Sequence, residues 1–188
     1  MRGWWMLVAV VGPSGAGKDT LMGLARARLA DDPRFRFVTR AITRPAEAGG
    51  EVHRALDVPA FEAERDAGAF ALWWRAHGLL YGIPRDIEHD LAERRVVVAN
   101  LSRGVLAEAA MRYRLRVLQV TAPARALAAR LAARGRESAA DIAARLRREA
   151  ALPAGLDIAT VMNDATPEEG AARVVETLSR AAEDARRS

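Results

Sequence analysis

Cysteine is absent from all 188 residues. Its absence excludes disulfide bonds, thiolate metal sites and a cysteine nucleophile, and it fits a reducing, cytoplasmic location. No apolar run approaches the roughly 18–20 residues that a membrane-spanning helix needs, so we expect no membrane partner. The apolar start, MRGWWMLVAVVG, lacks a small-residue cleavage site and leads directly into a glycine-rich loop. This start therefore indicates a buried first strand and not a secretion signal.

Aromatic residues are also scarce, at 5% of the chain, although the formal net charge is +5. An excess of positive charge favours an anionic partner: nucleic acid, a membrane surface or phosphorylated small molecules. The basic residues are scattered along the chain, and few aromatic side chains are present to stack on bases. The sequence therefore favours small anions as partners and not nucleic acid.

Lysine is the rarest of the basic residues, because 28 arginines accompany a single lysine, Lys18. A compact ammonium on a flexible stem can follow a moving phosphoryl group as a point charge, which a planar guanidinium imitates poorly. The one lysine directly follows Gly17 in a glycine-rich loop. This position predicts a catalytic function for Lys18.

That loop reads GPSGAGKD and lies between an apolar strand, predicted at 4–11, and an amphipathic helix, predicted at 20–30. Glycines let backbone N–H groups surround phosphate oxygens, and the helix N-terminus adds partial positive charge. Asp19 stands where Ser or Thr normally binds magnesium, so Asp19 and Thr20 are the predicted metal ligands. The predicted ATP-binding residues are Gly12, Pro13, Ser14, Gly15, Ala16, Gly17, Lys18, Asp19 and Thr20.

Short apolar runs predict further strands at 35–39, 96–99, 115–121 and 158–162, alternating with helices near 103–112, 123–134 and 139–150. This alternation predicts an α/β fold with a parallel sheet of about five strands flanked by helices, as in P-loop kinases. Asp57 and Pro59 start a short helix, a hairpin covers 70–82, and Pro84 opens a helix that ends near 94. A capping box at 166–169 opens the terminal helix.

The chain is predicted to be a single domain, 1–188, with two mobile inserts. The polar segment 41–56 has no periodicity, so it indicates a mobile loop. It belongs to an acceptor-binding insert at about 40–83, and an arginine-rich turn begins a lid at about 134–148.

These motifs together resemble the guanylate-kinase-like branch of P-loop kinases over nearly the whole chain. The landmarks are the loop GPSGAGKD, Ile42-Thr43-Arg44, the 78–82 segment, Arg134-Gly135, the helix around 142–146 and Asn163-Asp164. The resemblance fails where guanylate kinases hold guanine with a glutamate, because this chain has Leu72 there. A guanine placed against Leu72 would lose water and gain no hydrogen bond.

At the positions where this chain differs from guanylate kinases, it is similar to the ribose 1,5-bisphosphate phosphokinase family. They include Asp19, the 48–53 segment, Trp74 with His77-Gly78, Asn100-x-Ser102-Arg103 and the RGRE sequence at 134–137. The resemblance implies phosphorylation of ribose 1,5-bisphosphate by ATP with Mg²⁺, giving 5-phospho-α-D-ribosyl 1-diphosphate (PRPP) in phosphonate degradation.

Residue roles follow from the loop and from this resemblance. The catalytic candidates are Lys18, Arg44, Arg134 and Arg145. The acceptor-binding candidates are Thr43, Arg44, Glu51, His53, Tyr81, Ser102 and Arg103. Two alternatives stay open: a guanylate-kinase-like nucleoside monophosphate kinase, which Leu72 opposes, and a non-catalytic interaction module, which the intact loop opposes.

Overall fold

A computed structural model describes residues 6–48, 51–132 and 152–187. The described strands are β1 (Met6–Val11), β2 (Phe35–Phe37), β3 (Ala41–Ile42), β4 (Arg54–Ala55), β5 (Phe70–Ala76), β6 (Leu79–Pro84), β7 (Val96–Asn100), β8 (Arg114–Thr121) and β9 (Asp157–Met162). The described helices are α1 (Lys18–Arg28), α2 (Val58–Asp66), α3 (Ile87–Ala92), α4 (Leu106–Arg112), α5 (Ala124–Ala132) and α6 (Pro167–Arg187).

The main sheet contains, within the described ranges, five parallel strands in the order β2-β7-β1-β8-β9. Every residue of the central strand β1 is buried because both faces of the sheet are covered. Side chains alternate along a strand, so Val8 packs on one face with α1 and α6, and Leu7 packs on the other with α3 and α4. The predicted α/β fold with a parallel sheet flanked by helices is confirmed.

A small sheet, in the order β4-β3-β6-β5, lies beside the main sheet. The predicted hairpin is confirmed as β5 and β6, joined by His77 and Gly78, which both have positive φ (51° and 75°). Two residues with positive φ are typical of a type I′ turn, whose twist matches that of the flanking strands. The expectation of an unpaired loop over 41–56 is wrong in part. Ala41 pairs with both Gly82 and Arg54, and strands of two residues are too short to show a hydrophobic period.

Helix boundaries follow the predicted start signals in two of three places. The Asp57 side chain accepts a hydrogen bond from the N–H of Ala60 and begins α2. Thr166 and Glu169 form the predicted capping box, with bonds of 3.0 and 3.3 Å, and begin α6. Pro84 is instead the last residue of β6, and α3 begins at Ile87. The predicted helix at 139–150 and the lid at 134–148 lie outside the described residues.

None of the helices in the described ranges has the length and apolar character that crossing a bilayer requires.

Candidate active site

The phosphate loop leaves the carboxyl end of β1 at a point where only glycine fits. A Cβ atom at Gly12 would lie 2.2 Å from the carbonyl oxygen of Val120 on the adjacent strand. At Gly17, the residue before α1, φ is +80° and a Cβ would lie 2.5 Å from Asn163 Nδ2. The tight passage of the chain past β8 and β9 therefore requires glycine at both ends of the loop.

Side chains from two distant segments hold the carbonyl groups of this loop. Asn163, which directly follows β9 and is 6% exposed, donates from Nδ2 to the Ala16 carbonyl at 2.8 Å. Arg130, on α5, donates to the Gly15 carbonyl at 3.1 Å. Neither residue is among those that the sequence predicts to bind ATP. The position of Asn163 at the carboxyl end of a parallel strand, where ligand sites collect, is the signal that marks it.

Helix α1 begins at Lys18, two residues earlier than predicted. The Lys18 ammonium lies 3.1 Å from Asp19 Oδ1, and the Asp19 side chain is half-exposed. Burial raises the pKa of Asp19, but Lys18, Asn100 and Arg40 lower it by more, so this carboxyl titrates below its ordinary range. Asp19 is therefore ionised at neutral pH beside the positive end of a helix.

A cavity of about 660 Å³ opens in front of the loop, a size typical of small-molecule sites. Every predicted ATP-binding residue except the buried Ala16 lines it, and Asp19 and Thr20, the predicted metal ligands, lie together on its wall. The remaining lining residues are Met22, Gly23, Arg26, Phe37, Val38, Glu51, Val52, Val98 and Asn100.

Asn100, the last residue of β7, joins the phosphate loop to the predicted acceptor-binding insert. Its Nδ2 group lies 3.2 Å from Asp19 Oδ1 and 3.2 Å from Glu51 Oε2. Glu51 also forms an ion pair with Arg40. Three segments far apart in sequence thus meet at the carboxyl edge of the main sheet, where α/β enzymes bind their ligands.

Arg40 is a site residue that the sequence analysis missed. It follows β2, donates to the carbonyl of Asn100 at 3.2 Å and contacts Glu51. Its guanidinium carbon lies 5.0 Å from the ring centre of Tyr81 and 5.6 Å from that of Trp74. The two rings are themselves stacked, 5.3 Å apart. Arg40 thereby brings the predicted acceptor residue Tyr81 into the network at the cavity wall.

Arg44 and His53 hold each other across the insert. Nε2 of His53 lies 3.1 Å from the Arg44 carbonyl, and its Nδ1 lies 3.2 Å from the Arg44 guanidinium. A donating Nε2 satisfies the Arg44 carbonyl, whereas Nδ1 lies between the Arg44 guanidinium, which can only donate, and the Glu51 carbonyl, which can only accept. The Nε atom of Arg44 is buried and makes no hydrogen bond with the described part of the chain. The pair is thus positioned beside Glu51, whose carbonyl lies 3.0 Å from His53 Nδ1.

Thr43 and Ser102, whose hydroxyl groups were predicted to bind the acceptor, make hydrogen bonds within the protein. Thr43 Oγ1 accepts a hydrogen bond from the N–H of Leu80 at 2.8 Å and ties β3 to the hairpin. Ser102 caps the 3₁₀ turn Arg103–Val105. Arg103, half-buried, begins that turn. Their binding of an acceptor stays a prediction.

Leu72 does not face the cavity, so the expectation that a bound base would meet it is wrong. Its side chain is 1% exposed and packs with Ile83 and Ile87 in the apolar cluster between the sheets. Arg134 and Arg145, the two predicted lid arginines, lie outside the described residues.

The phosphate loop, the parallel sheet and its helical layers define a P-loop kinase. The guanylate kinase of Anaplasma phagocytophilum has a similar fold, with a TM-score of 0.63 over 95% of this chain and 85% of that chain, at 17% sequence identity. No protein-family model matches the sequence.

Relatives of much higher identity cover nearly the whole chain. Ribose 1,5-bisphosphate phosphokinase PhnN of Methylobacterium radiotolerans is 50% identical over 173 residues, which are 92% of this chain and 96% of that protein. The chain belongs to the ribose 1,5-bisphosphate phosphokinase family. It also matches the bifunctional ribose 1,5-bisphosphokinase-thymidine phosphorylase of Azorhizobium caulinodans, at 48% identity over 171 residues, and spans 25% of that longer protein.

Proposed function

We propose that this protein transfers the terminal phosphoryl group of ATP to the 1-phosphate of ribose 1,5-bisphosphate, giving PRPP and ADP. One observation carries the proposal: 50% identity, along almost the full length, to a protein named for this activity. The intact phosphate loop supports it, as do Lys18 and Arg26 on the cavity wall and Arg40 behind Asn100 and Glu51, because both substrates are polyanions.

The reaction needs no general base. An oxygen of the 1-phosphate supplies an electron pair to the γ-phosphorus of ATP while the bond from that phosphorus to the β,γ-bridging oxygen breaks. The bridging electron pair leaves with ADP. A phosphate monoester has a second pKa of about 6, so the attacking group is mostly ionised at neutral pH. Catalysis then consists of positioning the two phosphates and neutralising their charge.

Lys18 and the loop N–H groups supply the charge at the ATP side. The helix N-terminus at Lys18 and the loop glycines would bind the β- and γ-phosphates. Lys18 would leave its contact with Asp19 for the γ-phosphoryl group, because a triphosphate carries more negative charge than a single carboxylate. The loss of that lysine should therefore remove most of the transfer rate.

The oxygen ligands beside Lys18 fit Mg²⁺. Asp19 offers a half-exposed carboxylate and Thr20 an exposed hydroxyl, both on the cavity wall. The described residues contain no group of three or more His, Cys, Asp or Glu side chains that would form an all-protein metal site. Mg²⁺ is typically held by one or two carboxylates plus substrate phosphates. Bound there by Asp19 and Thr20, it would neutralise charge on the β- and γ-phosphates.

The acceptor would bind across the cavity, on the insert at about 40–83. Arg44 would grip an acceptor phosphate, and the side chains around it would bind the rest of the sugar bisphosphate. These side chains are Thr43, His53, Tyr81, Ser102 and Arg103. A lid at about 134–148 would bring Arg134 and Arg145 over ATP, all within a single domain.

The test is an assay of purified protein with ATP, Mg²⁺ and either ribose 1,5-bisphosphate or GMP, followed by ³¹P NMR. The proposal expects the diphosphate resonances of PRPP to appear with the sugar bisphosphate and to be absent in the Lys18→Ala variant. Consumption of ATP with GMP but not with ribose 1,5-bisphosphate would replace the proposal with nucleoside monophosphate kinase activity.

A further inference from the structure

Arg40 is a largely desolvated cation that contacts Asn100 and Glu51, two residues of the cavity wall. Its side chain is 11% exposed. One terminal nitrogen donates to the Asn100 carbonyl and the other contacts Glu51, whereas its Nε is buried and makes no hydrogen bond within the described ranges. A desolvated guanidinium is stable only beside an anion, so the position of Arg40 indicates a built anion site.

Two stacked aromatic rings lie against this guanidinium. The Tyr81 ring lies 5.0 Å and the Trp74 ring 5.6 Å from its central carbon. An arginine stacked on aromatic faces keeps its N–H edge available for planar, bidentate contact with a carboxylate or phosphate. Arg40 is therefore oriented before any ligand arrives.

The anion that Arg40 holds in this structure belongs to the insert itself. Glu51 lines the cavity together with the next residue, Val52, which is 80% exposed. An apolar neighbour this exposed does not anchor the segment by packing, so Glu51 is held by polar contacts: the ion pair, the Asn100 amide and a contact of its carbonyl with His53. A carboxylate has the same two-oxygen geometry and sign of charge as the edge of a phosphate. Glu51 thus occupies the position that a phosphate would take.

The same contacts place this anion site beside the phosphate loop. Asn100 bonds to both Glu51 and Asp19, and its carbonyl accepts a hydrogen bond from Arg40. A phosphate in the position of Glu51 would lie on the acceptor side of the predicted magnesium ligand, where a phosphoryl acceptor belongs.

We infer that Arg40 binds a phosphate group of the acceptor, and that Glu51 holds the same guanidinium while the acceptor is absent. The inference rests on the proposed function. Binding exchanges one anion for another, so Arg40 stays paired throughout.

Steady-state kinetics test the inference, with each substrate varied at saturating levels of the other. Arg40→Ala and Arg40→Met should each raise the KM for ribose 1,5-bisphosphate at least about tenfold and change the KM for ATP less than about twofold. The methionine variant keeps an apolar stem against Trp74 and Tyr81, so it protects the test against a folding defect of the alanine variant. Arg75 is an exposed arginine on β5, the strand that also carries Trp74. Arg75→Ala is therefore the matched control and should change neither KM.

The Glu51→Gln variant tests whether an acceptor phosphate replaces Glu51 at Arg40 or whether the ion pair of Glu51 and Arg40 only supports the fold. Removing the competing charge should lower the KM for the acceptor about threefold or more, whereas a structural pair would give a raised KM when broken. An unchanged acceptor KM in the folded Arg40 variant, or a raised one in Glu51→Gln, overturns the inference while the proposed function stands. No turnover of ribose 1,5-bisphosphate by the unaltered protein overturns both.

Discussion

Asn163 and Ala16 are 147 positions apart in sequence and are joined by a hydrogen bond of 2.8 Å from the amide nitrogen of Asn163 to the Ala16 carbonyl. Asn163 is one of the few buried polar residues among those described. The bond ties the segment after the edge strand β9 to the loop after the central strand β1. The loop conformation that would receive ATP therefore depends on a side chain from the far end of the domain's sheet.

Removing this support should weaken ATP binding. In Asn163→Ala the Ala16 carbonyl loses a buried partner, which typically costs about 1–3 kcal/mol. We expect a KM for ATP raised about tenfold, with a smaller change in the KM for the acceptor. Thr166→Ala is the control, since loss of that N-cap should lower stability by about 1 kcal/mol and leave the KM for ATP unchanged. Equal ATP kinetics in the two variants would contradict the role of Asn163.

The lysine of the loop should be irreplaceable by arginine. We expect Lys18→Ala to fold normally and to reduce phosphoryl transfer by orders of magnitude, because it removes the loop's mobile positive charge. Lys18→Arg keeps the charge and should restore little. Circular dichroism establishes folding and initial rates measure transfer. Near-normal turnover in a folded variant of either kind would rule out the catalytic role.

The carboxylate of Asp19 should act through magnesium. Asp19→Ala should raise the Mg²⁺ concentration required for half-maximal rate and change the KM for the acceptor less. Asp31→Ala, at an exposed position after α1, is the control and should titrate like the unaltered protein. If Asp19→Ala does not change the Mg²⁺ concentration required for half-maximal rate, Thr20 and the substrate phosphates are the ligands of the ion.

Acceptor choice should strongly favour the sugar bisphosphate. Without a base-reading carboxylate, a bound guanine would lose water from its N–H groups and gain no partner, which sites penalise heavily. We expect kcat/KM for ribose 1,5-bisphosphate to exceed that for GMP at least a hundredfold, or about 2.7 kcal/mol. Arg44→Ala should reduce transfer to the sugar and leave ATP binding nearly intact. A similar kcat/KM for GMP and for ribose 1,5-bisphosphate would contradict the assigned acceptor but not the assignment as a kinase.

A surface ion pair gives a pH-dependent contribution to stability. Hydrogen bonds from the Arg34 side chain outweigh a smaller opposing effect of burial and hold the pKa of Asp32 below its ordinary value. This stabilisation is therefore complete above the ordinary carboxyl pKa of about 3.9 and is lost as the pH falls through the lowered value. In urea titrations, Asp32→Asn should be less stable than the unaltered protein at pH 7, and the difference should shrink in acid. A difference that persists in acid would assign it to packing.

The ATP half of the site could be predicted from the sequence because its determinants are local. A buried strand, a glycine loop and an amphipathic helix follow one another within 6–28, and this order alone places Lys18 and Asp19 at a helix N-terminus. The capping box at Thr166 and the N-cap at Asp57 were likewise readable, since each spans four residues or fewer.

The acceptor side of the site could be predicted from the sequence only in part, as Leu72 illustrates. Its position in a family motif suggested that a bound guanine would meet it, but whether a strand residue faces a cavity or the core depends on what covers the sheet. Leu72 is buried in an apolar cluster that includes its cross-strand neighbour Ile83 and residues of the main sheet and α3.

The fold class, the phosphate loop and the likeness to a family can be inferred from residue order alone, because short-range sequence and hydrophobic period specify them. Three contacts could not be inferred in this way: Arg40 with Glu51, Asn100 with Glu51 and Asp19, and Asn163 with Ala16. These pairs come from segments that the strand order β2-β7-β1-β8-β9 brings to one edge of the sheet. Contacts between segments so far apart depend on which strands become neighbours, and no local pattern of residues encodes that choice.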